Sequence, residues 1–345
     1  MYGSLDCLPL EILQLVITNG CLSLDDVKRL CAVNRKLNNM KVELLGSIKT
    51  NIMFKTGKHP SCIKCSPDGN YIAHIHGDVI RIRDAKSKLY LRDLNGHKRR
   101  VRSLDISPDS SLIVSGGYDE KVMIWNIESG KQIRCLSGHT DWILSVAFSC
   151  DGKYIVSSCW DKSVRVWDTH TGRCINTLVN HVSGVNCVAC SPTGNHILSS
   201  SWDGNICVYR TNPIKLLYKA ELLYYKPSRL CFSPDGERFA VCGDDTNVYI
   251  RTVQTSQLIC YFDCNTQWIN SITYSPNGRF IAGGCMDGTI RIWDIESKKQ
   301  IELYNDTKSA INSITFSHNG NYLFSARDDH TIAVYNVSHL KRIPH

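Results

Sequence analysis

The sequence predicts a mainly-β fold of seven four-stranded antiparallel sheets repeated radially, with a small three-helix module in front of it. Three observations carry this expectation. A turn of the Ser-Pro-Asp-Gly kind begins at Ser66, Ser107, Ser149, Ser191, Ser233, Ser275 and Ser317, one step of 41 residues followed by steps of 42. Twelve residues beyond each serine stands an aspartate: Asp78, Asp119, Asp161, Asp203, Asp245, Asp287 and Asp329. Seven such units account for all but 51 of the 345 residues, and residues 1–48 show helical rather than strand spacing of their apolar side chains.

The third unit shows how each repeat divides. Residues 143–149 alternate, Cys150-Asp151-Gly152 turns, and residues 154–158 form a second strand. Trp160-Asp161-Lys162 turns again before a third strand over 163–167, and a fourth over 173–178 follows Thr171-Gly172. In the seventh unit only eight residues remain after the third strand, 331–337. Its fourth strand is therefore expected from residues 50–56, which would leave no unpaired sheet edge.

Composition excludes several classes. A chain that is 43% hydrophobic and 21% charged is ordinary for a soluble globular protein and unlike a disordered one. No apolar run approaches the ~18 residues of a membrane-spanning helix. The 17 cysteines are odd in number and too dilute for a disulfide scaffold. With no signal peptide in view, they imply a reduced intracellular protein, cytoplasmic, nuclear or both, with thiols used as small core hydrophobes. Cys62/Cys65 and Cys187/Cys190 have zinc-knuckle spacing, but residues three apart on a strand face opposite ways and no histidines recur beside them. No metal and no cofactor are expected. The net charge of +8 is scattered over residues 49–345, with one dense cluster, Lys98-Arg99-Arg100-x-Arg102. That distribution favours a solvated surface over a nucleic-acid partner.

Trp125-Asn126, Trp167-Asp168 and Trp293-Asp294 close the third strands, while Gly96-His97, Gly138-His139 and Asn180-His181 lead into successive units. In these motifs residues 49–345 resemble the WD-repeat family, which implies a seven-bladed β-propeller with residues 49–56 as its ring-closing strand. Unit five departs from the pattern with Arg251-Thr252, and units four and seven carry Tyr209 and Tyr335 in place of tryptophan. The resemblance also implies a buried hydrogen-bonded network in each regular blade: His97, Ser115, Asp119 and Trp125 in one, His139, Ser157, Asp161 and Trp167 in the next. Groups that repeat around a ring are scaffold elements, so no enzyme activity is expected.

Two kinds of position in such a blade face its upper surface. The residue before the repeat aspartate reads Gly77, Tyr118, Trp160, Trp202, Asp244, Met286 and Asp328. Five residues before each turn serine stand Ser61, Arg102, Leu144, Asn186, Ser228, Asn270 and Asn312; two further back stand His59, Arg100, Trp142, Gly184, Lys226, Trp268 and Ala310. Trp142, Trp160, Trp202 and Trp268 thus all belong to upper-surface series, beside Tyr118, Arg100 and Arg102. Tryptophan and arginine dominate binding hot spots, and an uncovered apolar patch is costly. These seven residues are expected to bind a peptide segment of a substrate protein. The neighbouring cations suit a carboxylate or phosphate and oppose a methyl-lysine guest.

In residues 1–48, Pro9 opens a helix carrying Leu10, Ile12, Leu13 and Val16, which Asn19-Gly20 ends. Ser23 caps a second, with Asp25 and Asp26 in its first turn and Val27, Leu30 and Cys31 apolar; Asn34 caps a third, with Leu37, Met40, Leu44 and Leu45. The string Leu8-Pro9-Leu10-Glu11-Ile12-Leu13, followed by residues 24–37, resembles an F-box. The resemblance implies docking to the Skp-type linker subunit of a cullin ligase through Leu8, Pro9, Ile12, Leu13, Val27, Leu30, Val33 and Leu37. The expected function is then a substrate-recognition adaptor of an SCF-type ubiquitin ligase whose propeller top holds a peptide degron. The alternative is a WD-repeat scaffold with a helical cap, unrelated to ubiquitin. Members of the F-box group that read phosphorylated degrons use several arginines on the upper surface; here Arg102 alone matches, with Arg100 near it, so a hydrophobic or acidic-hydrophobic degron fits better.

Overall fold

The computed structural model describes residues 52–221, 226–264, 268–305 and 307–343. The three expected helices and the eight expected linker-docking residues, Leu8 to Leu37, lie outside these residues. All described strands belong to one unit that begins at Ile52.

That unit is built from seven four-stranded antiparallel sheets. Strand β1 (Ile52–Lys55) comes first in the chain. Blade one then holds β2 (Ile63–Cys65), β3 (Tyr71–His76), β4 (Val79–Asp84) and β5 (Tyr90–Leu94). Blade two holds β6 (Val101–Ile106), β7 (Leu112–Gly117), β8 (Val122–Asn126) and β9 (Gln132–Leu136). Blade three holds β10 (Ile143–Phe148), β11 (Tyr154–Cys159), β12 (Val164–Asp168) and β13 (Cys174–Leu178), each within a residue or two of its expected bounds. Blade four holds β14 (Val185–Cys190), β15 (His196–Ser201), β16 (Asn205–Thr211) and β17 (Ile214–Glu221). Blade five holds β18 (Pro227–Phe232), β19 (Arg238–Gly243), β20 (Asn247–Thr252) and β21 (Leu258–Asp263). Blade six holds β22 (Ile269–Tyr274), β23 (Phe280–Cys285), β24 (Ile290–Asp294) and β25 (Lys299–Tyr304). Blade seven holds β26 (Ile311–Phe316), β27 (Tyr322–Arg327) and β28 (Thr331–Asn336), and its fourth strand is β1.

The β1–β28 ladder pairs Ile52 with Val334 and Lys55 with Thr331. First strands of successive blades touch in a closed cycle, β2 to β6, β10, β14, β18, β22, β26 and back to β2. At the seam β1 covers the edge of β28, so blade seven has the same four strands as the others.

The repeated turn has one physical basis. The serine Oγ accepts the N–H that opens the second strand, as from Tyr71 to Ser66 at 2.8 Å, and bonds the side chain two residues on, a carboxylate at Asp151 (2.7 Å from Ser149) and an amide oxygen at Asn277 (2.6 Å from Ser275). The last turn residue takes a positive φ, +70° at Gly152, which is why glycine recurs there. Only blade two uses a side-chain residue, Ser110 at +60°, and its hydroxyl accepts the Asp68 N–H of the neighbouring blade at 3.0 Å.

The core lies between blades. Val114, Val122, Ile124 and Leu136 of blade two interlock with Val146, Phe148, Ile155 and Trp167 of blade three. Ile63 and Ile72 of blade one pack on Phe324, Ile332 and Val334 of blade seven across the closure. Outermost strands meet solvent on one side, so β17 alternates half-buried and exposed along its whole length. Among the described residues no helix is long and apolar enough to cross a membrane.

Candidate functional site

Bulges in the innermost strands build the upper face. In blades two to seven the pairing of first and second strands slips by one residue: between Val101 and Ser103, Ile143 and Ser145, Val185 and Cys187, Pro227 and Arg229, Ile269 and Ser271, and Ile311 and Ser313. A bulged residue is released from the ladder and its side chain re-aimed. The skipped residues are Arg102, Leu144, Asn186, Ser228, Asn270 and Asn312, and all of them line one cavity of about 670 Å³. In blades two, three, four, six and seven the residue before the repeat aspartate is tied to its own blade's lead-in loop by a backbone bond, as from Trp160 N to Trp142 O and Met286 N to Trp268 O, both 2.9 Å.

All seven residues expected at the peptide site, Arg100, Arg102, Tyr118, Trp142, Trp160, Trp202 and Trp268, line this cavity. The four tryptophans keep 43 to 55% of their surface exposed. Tyr118 of blade two stacks on Trp142 of blade three, with centroids 4.5 Å apart and rings 20° from parallel. Trp160 of blade three meets Trp202 of blade four edge-on at 6.2 Å. These rings form an arc over blades two to four, and Trp268 stands on blade six. Gly184 seats the arc: a Cβ there would lie 2.8 Å from Trp160 Cε3.

Cations sit inside the arc. Arg100 Nη2 donates to His59 Nδ1 at 2.9 Å, and His59 Nε2 contacts the Asp328 carboxylate, which couples that arginine to an acid through an imidazole. Arg102 is half-buried, and the charge of Arg229 together with burial pushes its pKa down to about 10. Arg229 escaped the sequence reading. It stands four residues before its turn serine, one beyond the position considered, where the other units carry Cys62, Ser103, Ser145, Cys187, Ser271 and Ser313. A single long cation in a series of small side chains was the available signal. Asp244 supplies a carboxylate to the cavity wall, where it accepts the Lys226 N–H at 2.7 Å.

The Asp/His groups resemble a catalytic set only in composition. Trp167 Nε1 donates to Ser157 Oγ at 2.8 Å; Ser157 Oγ lies 2.7 Å from His139 Nε2; His139 Nδ1 lies 2.8 Å from Asp161. Blade two repeats this with Trp125, Ser115, His97 and Asp119, and blade four with Ser199, His181 and Asp203. Every donor in the chain is matched to the next acceptor, the condition a buried polar network must meet. Cys159 joins His139 and Asp161 within 4.8 Å, but burial pushes its thiol well up, away from the thiolate a metal binds. Cys65 and Cys190, from the two knuckle-spaced pairs, are pushed up by burial as well.

A closed ring of seven four-stranded blades with aromatic and cationic side chains on one mouth defines a β-propeller of the interaction-scaffold class. The chain matches the family described as WD domain, G-beta repeat over residues 88–126, 130–168, 172–210, 227–251, 256–294 and 298–336, more than half its length. It belongs to the WD-repeat family, whose propellers typically serve as non-catalytic scaffolds for protein interaction. The match is cut short at Arg251, where the fifth blade lacks its tryptophan.

Among curated proteins, a 71-residue stretch is 32% identical to the protein groucho of Drosophila melanogaster, covering 21% of this chain and 8% of that protein. A 78-residue stretch is 35% identical to the meiotic recombination protein rec14 of Schizosaccharomyces pombe, covering 22% of this chain and 26% of that one. A third, of 69 residues, is 28% identical to eukaryotic translation initiation factor 3 subunit I of Phaeosphaeria nodorum, covering 20% of each. The chain thus spans a small part of the relatives it matches.

Proposed function

We propose that the upper face of this propeller grips an extended peptide segment of another intracellular protein, laid across blades two to four. One observation carries the reading: four tryptophans that could have been buried stand instead around a single cavity, roughly half exposed, beside Arg100 and Arg102. Exposed apolar area of that kind is retained where a partner covers it. The test is selection of binding peptides from a display library on the full chain. Trp160→Ala with Trp202→Ala is expected to weaken the selected peptides at least tenfold, as removal of two hot-spot rings should, with the melting temperature nearly unchanged. A large fall in melting temperature would make the rings structural and sink the reading.

The string from Leu8 to Leu37 favours a more specific function, a substrate-recognition subunit of an SCF-type ubiquitin ligase. In this reading Leu8, Pro9, Ile12, Leu13, Val27, Leu30, Val33 and Leu37 enter a hydrophobic groove of the Skp-type linker subunit. The two modules, residues 1–48 and 49–345, then divide the work between ligase and substrate. Pull-down with the linker subunit is expected to succeed for the wild type and to fail for Leu8→Ala with Pro9→Ala. Equal capture of both, or of neither, would leave a WD-repeat scaffold unrelated to ubiquitin.

A further inference from the structure

Resting on the peptide reading of the same cavity, we infer that the mouth of the central channel is an oxyanion socket. Arg102 of blade two and Arg229 of blade five would clamp one acidic group of the bound peptide there, while the aromatic arc holds the apolar side chain next to it.

The placement of the two arginines supports this. Arg102 is the residue released by the bulge of β6, whereas Arg229 resumes the ladder just past the bulge of β18, opposite Cys242. Both line the upper cavity and also the channel below it, which puts them where the two spaces join. They are close enough for the charge of Arg229 to be the largest influence on Arg102. Among the described residues neither guanidinium has a carboxylate partner: Arg229 Nη1 donates to its neighbour's carbonyl, Ser228 O, at 3.2 Å.

The nearby acids are engaged elsewhere. Asp105 takes Lys64 at 3.5 Å and the Phe148 N–H at 2.9 Å; Asp244 takes the Lys226 N–H; Asp328 takes His59. Two half-buried like charges without an anion are unfavourable, and a planar carboxylate or a phosphate monoester offers the acceptors that guanidinium forks match. Arg100 and Lys226 also line the cavity, and Arg100 is already bonded to His59.

Tyr118 and Trp160 line the same cavity as the two arginines, so an apolar side chain next to the anion has rings to meet. The ligand class is therefore an acidic peptide with a large apolar residue next to its acidic one. The acid is either an Asp or Glu side chain or a phosphorylated hydroxyl.

Small probes separate these parts. Hydrocinnamate, phenyl phosphate and the neutral hydrocinnamamide share the ring and differ in the charged group. Isothermal titration of the full chain at low salt is expected to give at least one anion about tenfold tighter binding than the amide, with the advantage shrinking as salt is raised. In Arg102→Gln with Arg229→Gln the advantage should fall to about twofold or less, while the amide binds as before. The melting temperature of this variant should equal or exceed the wild type, because a like-charge pair has gone. Arg102→Lys, which keeps a charge without the fork, should retain an intermediate preference. A stronger response to phenyl phosphate assigns the acid to a phosphate, and a stronger response to hydrocinnamate to a carboxylate; either supports the socket. Equal binding of amide and anions, or an anion preference that survives in the double glutamine variant, overturns it. Amide binding that depends on Trp160 and Trp202 would leave the peptide reading standing in that event.

Discussion

Trp167→Ala is expected to cost about 4 kcal/mol of stability, which would lower the melting temperature by about 6 °C in a chain of this size. The ring is 2% exposed and fills the seam between blades two and three with Val146, Phe148 and Leu136. It also fixes what stands above it: a Cβ on Gly138 would come within 3.1 Å of Trp167 Cη2, so the glycine of the Gly-His pair exists to let the indole lie flat beneath the loop. Blade two repeats the arrangement, with Gly96 over Trp125 at 2.7 Å. Removing the indole opens a cavity that a ring-closed fold cannot collapse around, because neighbouring blades are pinned on both sides. It also strips Ser157 of its donor. Trp167→Phe restores most of the packing and should recover all but about 1–2 kcal/mol, the share of the lost hydrogen bond and the smaller ring. Urea unfolding of the two variants against the wild type checks both figures. A loss under about 1 kcal/mol for the alanine variant would mean that the seam repacks.

Much of this architecture was legible because a propeller repeats its local rules. A serine that closes a turn, a glycine at positive φ and an aspartate twelve residues on recur at fixed spacing, and each recurrence strengthens the others. Even the irregular blades could be read, since Tyr209 and Tyr335 occupy the tryptophan position and are fully buried there. Arg327 was not foreseen as core. It is 1% exposed and donates to the Tyr335 hydroxyl with its guanidinium over that ring, a substitution for the Trp–Ser–His chain that no spacing rule announces.

The binding face was legible only as far as the period reached. Counting five residues back from each turn serine finds Arg102 because the bulge skips that position. The same bulge turns the following residue toward the channel, and this second consequence depends on backbone geometry that sequence spacing does not encode. Arg229 was missed for that reason. The pairing of Tyr118 with Trp142 across two blades had the same obstacle: the residues are 24 apart in sequence and meet only because the ring brings one blade's turn beside the next blade's lead-in loop.

Asp161→Asn is expected to destabilise the chain by roughly 3 kcal/mol at neutral pH and to change its response to acid. The Asp161 carboxylate accepts from His139 Nδ1 at 2.8 Å and Thr140 N at 3.2 Å on one oxygen, and from Ser163 N at 2.9 Å and Ser163 Oγ at 2.6 Å on the other. An amide keeps one acceptor and sets an NH₂ against donors on the other side. Burial alone would raise this carboxyl, but the bonds from His139 and Ser163 outweigh it and hold the group well below the ordinary carboxylate range. Asp119 and Asp203 are lowered in the same way. A depressed carboxylate contributes stability above the unfolded pKa of ~4, and that contribution drains away as pH falls through the folded value. The histidines act earlier in the same titration. Burial, with the charge of Arg83, pushes His74 down to about 3, and burial lowers His181. The unfolded chain takes up these protons near pH ~6.5 while the folded chain refuses them, so stability falls by up to about 1.4 kcal/mol per pH unit per group from there downward. Urea unfolding at a series of pH values should therefore show a decline that starts near pH 6.5 and steepens below 4. In His74→Gln the upper segment becomes shallower but persists, because buried His181 remains. In Asp161→Asn the upper segment keeps its slope, the curve lies lower throughout, and the steepening below 4 is reduced. A wild-type curve flat from pH 7 to 4.5 would show that the buried imidazoles gain protons in the folded ring as readily as outside it.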